Sequence, residues 1–167
     1  MRSLKTTLKN KLQGAERVAV LGVGSDLRAD DAVGLLVAGE LKKACVESDN
    51  RARLKVFLGN TAPENLTGEI KKFCPTHIII VDAADGQKEP GAVTLIDPGE
   101  TGGISFCTHQ LPPKIIADYL VKSLRCKVII IGIQPKALDF GASPSKEVIK
   151  SAKDIAAMIK GIIKGEN

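Results

Sequence analysis

Three runs of aliphatic residues narrow the choice of fold more than any other feature of this chain. Residues Arg17–Val23, His77–Ala83 and Lys127–Ile133 are dense in Val and Ile, which is typical of strands buried on both faces of a sheet. Stretches with helical periodicity separate these runs, as crossover connections between parallel strands require. Leu54–Leu58 and Ala92–Ile96 are weaker strand candidates. The sequence therefore predicts an α/β fold.

The predicted architecture is a single-domain three-layer sandwich over residues 1–167, with helices on both faces of a twisted, mostly parallel sheet of about five strands. The connection 83–91 is short and rich in turn residues, so we expect the third and fourth strands to be antiparallel neighbours and the sheet to be mixed. The predicted helices are Asp31–Cys45, Thr61 to about Phe73, a helix that Pro112 and Pro113 start and that runs to about Leu124, and a last helix after Ser143.

Helix-start signals precede two of these helices. Thr61 and Glu64 have the spacing of a capping box, in which the threonine caps the helix and the glutamate reaches back. Ser143 is expected to cap the last helix, whose apolar residues recur at helical spacing. The amphipathic segment Ser3–Leu12 precedes the first strand, and we expect it to be peripheral.

Composition excludes several classes of function. The net charge is +5, but the lysines lie mostly at helical spacing, and with one Tyr and no Trp the chain lacks aromatic residues for stacking bases. We therefore expect no nucleic-acid partner.

No apolar run approaches the roughly 20 residues of a membrane helix, and residues 1–14 are too polar for a signal peptide. The four cysteines form no C-x-x-C pair, so reduced, mostly buried thiols in a cytoplasmic protein are expected.

The first aliphatic run leads into LGVGSDLRADDAVG, which matches part of a dinucleotide-binding fingerprint. Gly22 and Gly24 are present, but Leu27 occupies the place of the third glycine. Asp30 and Asp31 would also repel a phosphate from the start of the following helix. A Rossmann-like nucleotide-binding oxidoreductase is therefore a disfavoured alternative. Asp30 is interpreted as a helix N-cap, and Asp31 as either a first-turn residue or a ligand-binding group.

Two further polar residues join Asp31 as candidates for a metal site. Asp82 ends a run that should be a buried strand, where an unpartnered carboxylate is costly. His109 lies in the polar loop CTHQLPP, directly before a predicted helix. Two carboxylates and one imidazole can hold a divalent metal, and these residue types do not select among Zn, Ni, Fe and Mn.

Other polar residues near these stretches have simpler interpretations. Cys107 is an alternative ligand, which would favour zinc. His77 begins its strand at the opposite end from Asp82, so a structural or surface role is expected. Asp85 is interpreted as a turn residue.

Five stretches taken together carry a family resemblance. They are LGVGSDLRADDAVG, NTAPENL, HIIIVDAAD followed by PGAVTLIDP, THQLP and GIQP, in this order from about Val18 to Pro135. In these stretches the chain resembles the hydrogenase maturation endopeptidases, in particular the type that matures the hydrogenase of formate hydrogenlyase complexes. The family commonly has Asn where this chain has Ser25, a difference that bears on the loop before Asp31.

The resemblance implies a single α/β domain that removes a C-terminal peptide from the large-subunit precursor of a nickel-iron hydrogenase after nickel insertion. It also implies that Asp31, Asp82 and His109 are the metal-contacting and catalytic residues, in a protein expected to be monomeric. These groups could hold a metal of the protease's own, zinc or another divalent ion, that activates a water. Alternatively they engage nickel already seated in the precursor, which is the version that the resemblance favours. A non-proteolytic nickel-binding assembly factor is a further alternative.

Overall fold

The structure, a computed structural model, describes residues 3–46, 53–98, 105–106 and 112–165. Its sheet has six strands in the order β2-β1-β3-β6-β4, with β5 paired to β3 off this path. The strands β1, β3 and β6 coincide with the three aliphatic runs and lie in the middle of the sheet. In chain order the strands are β1 (Val18–Val23), β2 (Leu54–Asn60), β3 (His77–Asp85), β4 (Val93–Ile96), β5 (Ser105–Phe106) and β6 (Lys127–Ile133).

The sheet is mixed, as predicted, but one strand pairing differs from the prediction. β2, β1, β3 and β6 are mutually parallel along the sheet, and β4 is antiparallel. β4 pairs with β6, whereas the prediction placed it beside β3. β3 is hydrogen-bonded to β1 on one side and to β6 on the other, so β4 cannot pair beside it along this sheet and instead pairs at the outer edge of β6. The two-residue β5, which no sequence signal indicated, pairs with the end of β3 at Ala84 and Asp85.

Helices cover both faces of the sheet and confirm the predicted three layers. Alternate residues of β3 enter different clusters: Ile79 packs with α1, α2 and α5, and Ile80 packs with α3 and α4. The two clusters hold most of the buried aliphatic side chains, which explains why central strands need apolar residues at every position. The helices are α1 (Leu4–Lys11), α2 (Val33–Val46), α3 (Thr67–Phe73), α4 (Pro113–Leu124) and α5 (Lys146–Lys164).

The prediction that the N-terminal segment is peripheral is wrong. Ser3 caps α1 by accepting a hydrogen bond from the Thr6 backbone N–H at 3.2 Å. Leu8 and Leu12 are buried in the cluster that α1 shares with α2 and α5. The short amphipathic pattern therefore marks a helix that closes one face of the core.

Two helix starts also differ from the predictions. Residues Pro63–Leu66 form a 3-10 turn, so α3 begins only at Thr67, and the residue before the turn, Ala62, makes no side-chain cap. The predicted capping box therefore does not form, because the spacing of Thr61 and Glu64 does not coincide with a helix start. The N-cap of α5 is Ser145, two residues after the predicted Ser143.

The amino ends of the parallel strands lie opposite the candidate site. His77, the first residue of β3, is buried, and its Nδ1 lies 3.1 Å from the Thr76 hydroxyl. Burial and the nearby Lys127 ammonium both lower the pKa of His77, so the imidazole is neutral at neutral pH.

Of the two cysteines whose side chains the structure describes, Cys126 is buried as expected and Cys74 is exposed.

Candidate functional site

The turn after β1 is held close to the segment that carries Asp31. Gly24 has φ +143°, and a Cβ atom on this residue would lie 1.9 Å from the Asp31 carbonyl oxygen. Only glycine fits this approach. Gly22 lies inside β1, where a Cβ atom would lie 2.2 Å from the Gly34 carbonyl oxygen. The first glycine therefore permits close packing of α2, and the second makes the turn.

Asp31 lies in a 3-10 turn, Ala29–Ala32, rather than in the predicted helix, which begins as α2 two residues later. Its side chain is fully buried, and its Oδ2 accepts a hydrogen bond from the Ser25 backbone N–H at 3.0 Å. Because the donor is a backbone N–H group, this interaction does not depend on the side chain at position 25. The Ser25 hydroxyl itself accepts from the Leu27 N–H at 3.3 Å.

Asp82 lies near the carboxyl end of β3 and is also fully buried. The strand continues two residues beyond its predicted end at Ala83, to Asp85, and β5 pairs with these last two residues. The Asp82 Oδ1 accepts a hydrogen bond from the Ala83 backbone N–H at 2.8 Å. Across the sheet, the partner of Asp82 on β6 is Gly132, which presents no side chain.

Gly34 brings the segments that carry the two aspartates together. A Cβ atom on this residue would lie 2.2 Å from the Val23 carbonyl oxygen and 2.3 Å from the Val81 carbonyl oxygen. The first turn of α2 therefore rests directly on the carboxyl ends of β1 and β3. Asp31 precedes Gly34 by three residues and Asp82 follows Val81, so both aspartates belong to segments that meet at the carboxyl edge of the sheet, the place that we call the crevice. Ligands of open α/β sheets bind at such an edge.

Asp30 has a different role from Asp31, although both are fully buried. Its Oδ2 accepts hydrogen bonds from the backbone N–H groups of Lys136 at 2.7 Å and Ala137 at 3.1 Å, and from the Ser145 hydroxyl at 3.0 Å. Its Oδ1 accepts from the Ser145 N–H at 2.6 Å. Asp30 is thus structural, as predicted, but it does not cap α2. It joins the loop after β6 to the start of α5.

Gln134 is a buried residue that the sequence reasoning did not single out, although it lies in the GIQP stretch. Its Oε1 accepts hydrogen bonds from the N–H groups of Gly86 at 2.9 Å and Lys88 at 3.2 Å, and its Nε2 donates to Asp85 Oδ1 at 3.1 Å. Asp85 Oδ1 also accepts from the Gln87 N–H at 2.9 Å, which confirms its role as a turn residue. These contacts hold the pKa of Asp85 below its usual value. Gln134 therefore fixes the loop that follows β3.

The third predicted metal contact, His109, lies outside the described residues, as does the alternative ligand Cys107. Within residues 3–46, 53–98, 105–106 and 112–165, no group of three or more His, Cys, Asp and Glu side chains is placed to hold a metal ion. The structure thus places Asp31 and Asp82 at one crevice, and the assignment of metal contacts stays a prediction.

Comparison with known proteins identifies the family. The model of the HycI hydrogenase maturation proteases matches residues 35–162, and a Methanocaldococcus jannaschii protein provisionally assigned as a hydrogenase maturation protease is 38% identical over 154 residues, 90% of either chain. This chain belongs to the hydrogenase maturation protease family. The protease is also 33% identical over 134 residues to the hydrogenase 3 maturation protease of Escherichia coli, covering 80% of this chain and 81% of the relative.

The fold of the protease matches solved structures of the same family. A nickel-iron hydrogenase maturation protease, HycI, from Thermococcus kodakarensis superimposes with a TM-score of 0.84 at 32% identity, covering 95% of this chain and 99% of that chain. The α/β fold and the classification as a peptidase are therefore both confirmed. Among the described residues, no helix is long and apolar enough to cross a membrane.

Proposed function

We propose that this protease removes the C-terminal extension of a nickel-iron hydrogenase large-subunit precursor after nickel has been inserted. The observation that carries the proposal is the pair of buried carboxylates, Asp31 and Asp82, at one crevice of a maturation-protease fold. Carboxylate oxygens are ligands of divalent metal ions, so two carboxylates on adjoining segments suit the contact with nickel that the proposal requires.

Membership of the hydrogenase maturation proteases, one of whose solved structures is named as a nickel-iron hydrogenase maturation protease, favours nickel supplied by the substrate. Asp31 and Asp82 together with the predicted His109 offer at most three side chains, while divalent transition metals take four to six ligands. The remaining positions are filled by groups of the precursor that already hold the nickel. Zinc or another divalent metal of the protease's own is the second version of this site, since carboxylate and imidazole ligands do not exclude it.

The chain's own residues have two tasks in this proposal. Asp31 and Asp82 are oriented by the backbone N–H groups of Ser25 and Ala83, so their positions are set before the substrate arrives. Hydrolysis also needs a group that accepts a proton from the attacking water, and either carboxylate can do so. Because both are fully buried, the chain around the crevice must rearrange when the precursor binds.

The test is the intact mass of a nickel-loaded large-subunit precursor after incubation with the purified protein. We expect the precursor to lose a C-terminal peptide and to gain the mass of one water across the two products. A non-proteolytic nickel carrier would bind the precursor and leave its mass unchanged, and that result would overturn the proposal.

A further inference from the structure

Two apolar side chains, on the loop before Asp30 and on the loop after β6, are exposed to solvent. Phe140 is 77% exposed and Leu27 is 57% exposed. The other three phenylalanines of the chain are used in packing: Phe57 is buried, and Phe73 and Phe106 pack against the cluster beneath α3 and α4. Phe140 is thus the phenylalanine that does not pack in or against the hydrophobic core.

The backbone holds these two residues in a fixed arrangement. The Gly141 N–H donates to the Leu27 carbonyl oxygen at 2.8 Å, and the Ala29 N–H donates to the Ala142 carbonyl oxygen at 3.2 Å. Residues 139–142 form a turn in which Gly141 has φ +78°, and Phe140 occupies its tip. We call Leu27 and Phe140, with the two segments that these bonds join, the Leu27–Phe140 surface.

The Leu27–Phe140 surface is also tied to the carboxylates of the crevice. Ser25 lies two residues before Leu27 and donates its N–H to Asp31. On the other segment, the N–H groups of Lys136 and Ala137 donate to Asp30, the neighbour of Asp31. A partner that covers Phe140 is therefore held at a defined position relative to the candidate catalytic residues.

We propose that the Leu27–Phe140 surface binds an apolar segment of the large-subunit precursor and so positions the C-terminal extension at the crevice. This inference rests on the proposed function. Single exposed apolar residues are common on proteins. Here the turn that carries the aromatic residue is hydrogen-bonded to the segment that leads to Asp31, and aromatic side chains are enriched among the residues that dominate binding energy. The expected occupant is the protein substrate, and the surface contributes to its affinity rather than to bond cleavage.

The test separates binding from chemistry with two matched variants. Phe140→Ser is expected to raise KM for the nickel-loaded precursor by about tenfold, as loss of an interface anchor does, and to leave kcat near the wild-type value. Tyr119→Ser is the control, because Tyr119 is 47% exposed on α4, where its partner is Lys71 of α3. The control is expected to leave both constants unchanged.

Three results would overturn the inference. The first is an unchanged KM in Phe140→Ser, and the second is an equal rise of KM in Tyr119→Ser. The third is a wild-type protein that sediments as a dimer while Phe140→Ser sediments as a monomer, which would assign the surface to a second copy of the chain. Calorimetric binding of the intact precursor to wild type and to Phe140→Ser is measured in parallel. Weaker binding by the variant supports the surface even if the wild type fails to shorten the precursor, an outcome that counts against the proposed function alone.

Discussion

Replacing Asp31 by Asn is expected to lower kcat/KM for precursor processing by about 100-fold or more, the scale of losing a group that stabilises charge in a transition state. The substitution keeps the shape of the side chain and retains an oxygen that can accept from the Ser25 N–H. It removes the negative charge that we propose to contact nickel. Asp82→Asn is expected to have a loss of the same order, for the same reason.

The neighbouring substitution Asp30→Asn provides a matched contrast. The carboxylate of Asp30 accepts four hydrogen bonds through both of its oxygens. Asparagine keeps one oxygen acceptor and replaces the other by an amide nitrogen, which cannot accept a hydrogen bond. We expect the free energy of unfolding to fall by about 2–3 kcal/mol, the scale of leaving buried donors unpaired.

Urea denaturation and processing assays on both variants separate the two roles. Asp31→Asn should unfold close to the wild-type midpoint and be inactive, and Asp30→Asn should unfold earlier while its folded fraction remains active. Asp154→Asn, an exposed residue of α5, controls for the loss of one charge. Full activity of Asp31→Asn would remove this residue from the site.

Gly34→Ala is expected to lower the free energy of unfolding by about 3 kcal/mol or more and to reduce processing at the same time. The added Cβ atom would lie 2.2 Å and 2.3 Å from two backbone carbonyl oxygens, on β1 and β3. Backbone cannot yield as a flexible side chain does, so the start of α2 must move away from the sheet. That movement separates the segments that carry Asp31 and Asp82.

Gly39→Ala tests whether the position within α2, rather than the residue change, causes the effect. No described atom outside the local helix backbone lies within 4 Å of a Cβ atom at Gly39. Alanine is the better helix former, so we expect a gain of up to about 1 kcal/mol. Thermal unfolding and the processing rate of both variants measure the contrast. Equal stability of Gly34→Ala and Gly39→Ala would contradict the close packing described for the crevice.

Much of the fold could be predicted because the central strands are apolar at every position. The aliphatic runs predicted β1, β3 and β6 to within two residues at each end, and helical periodicity located α2, α4 and α5. Strand partners were harder to predict, since β4 pairs with β6 across about 30 residues of chain. A local pattern carries no information on which strand edge is left open.

For the candidate site, the sequence could indicate only that residues with metal-binding side chains follow predicted strands. The sequence pointed to Asp31 and Asp82, and the structure places both at one crevice. It could not separate the roles of Asp30 and Asp31, because the partners of Asp30 lie more than 100 residues away. The roles of Gly34 and Gln134 could not be predicted for the same reason. Each residue contacts backbone groups of strands or loops that are distant in the sequence.

We propose that Asp31 and Asp82 contact the nickel of the precursor. The most direct test compares the rates at which the protease shortens nickel-loaded and nickel-free forms of one large-subunit precursor. Intact mass spectrometry follows both reactions under the same conditions, without added metal. We expect the nickel-loaded precursor to lose its C-terminal peptide and the nickel-free precursor to stay whole. Cleavage of both forms at the same rate would contradict this proposal.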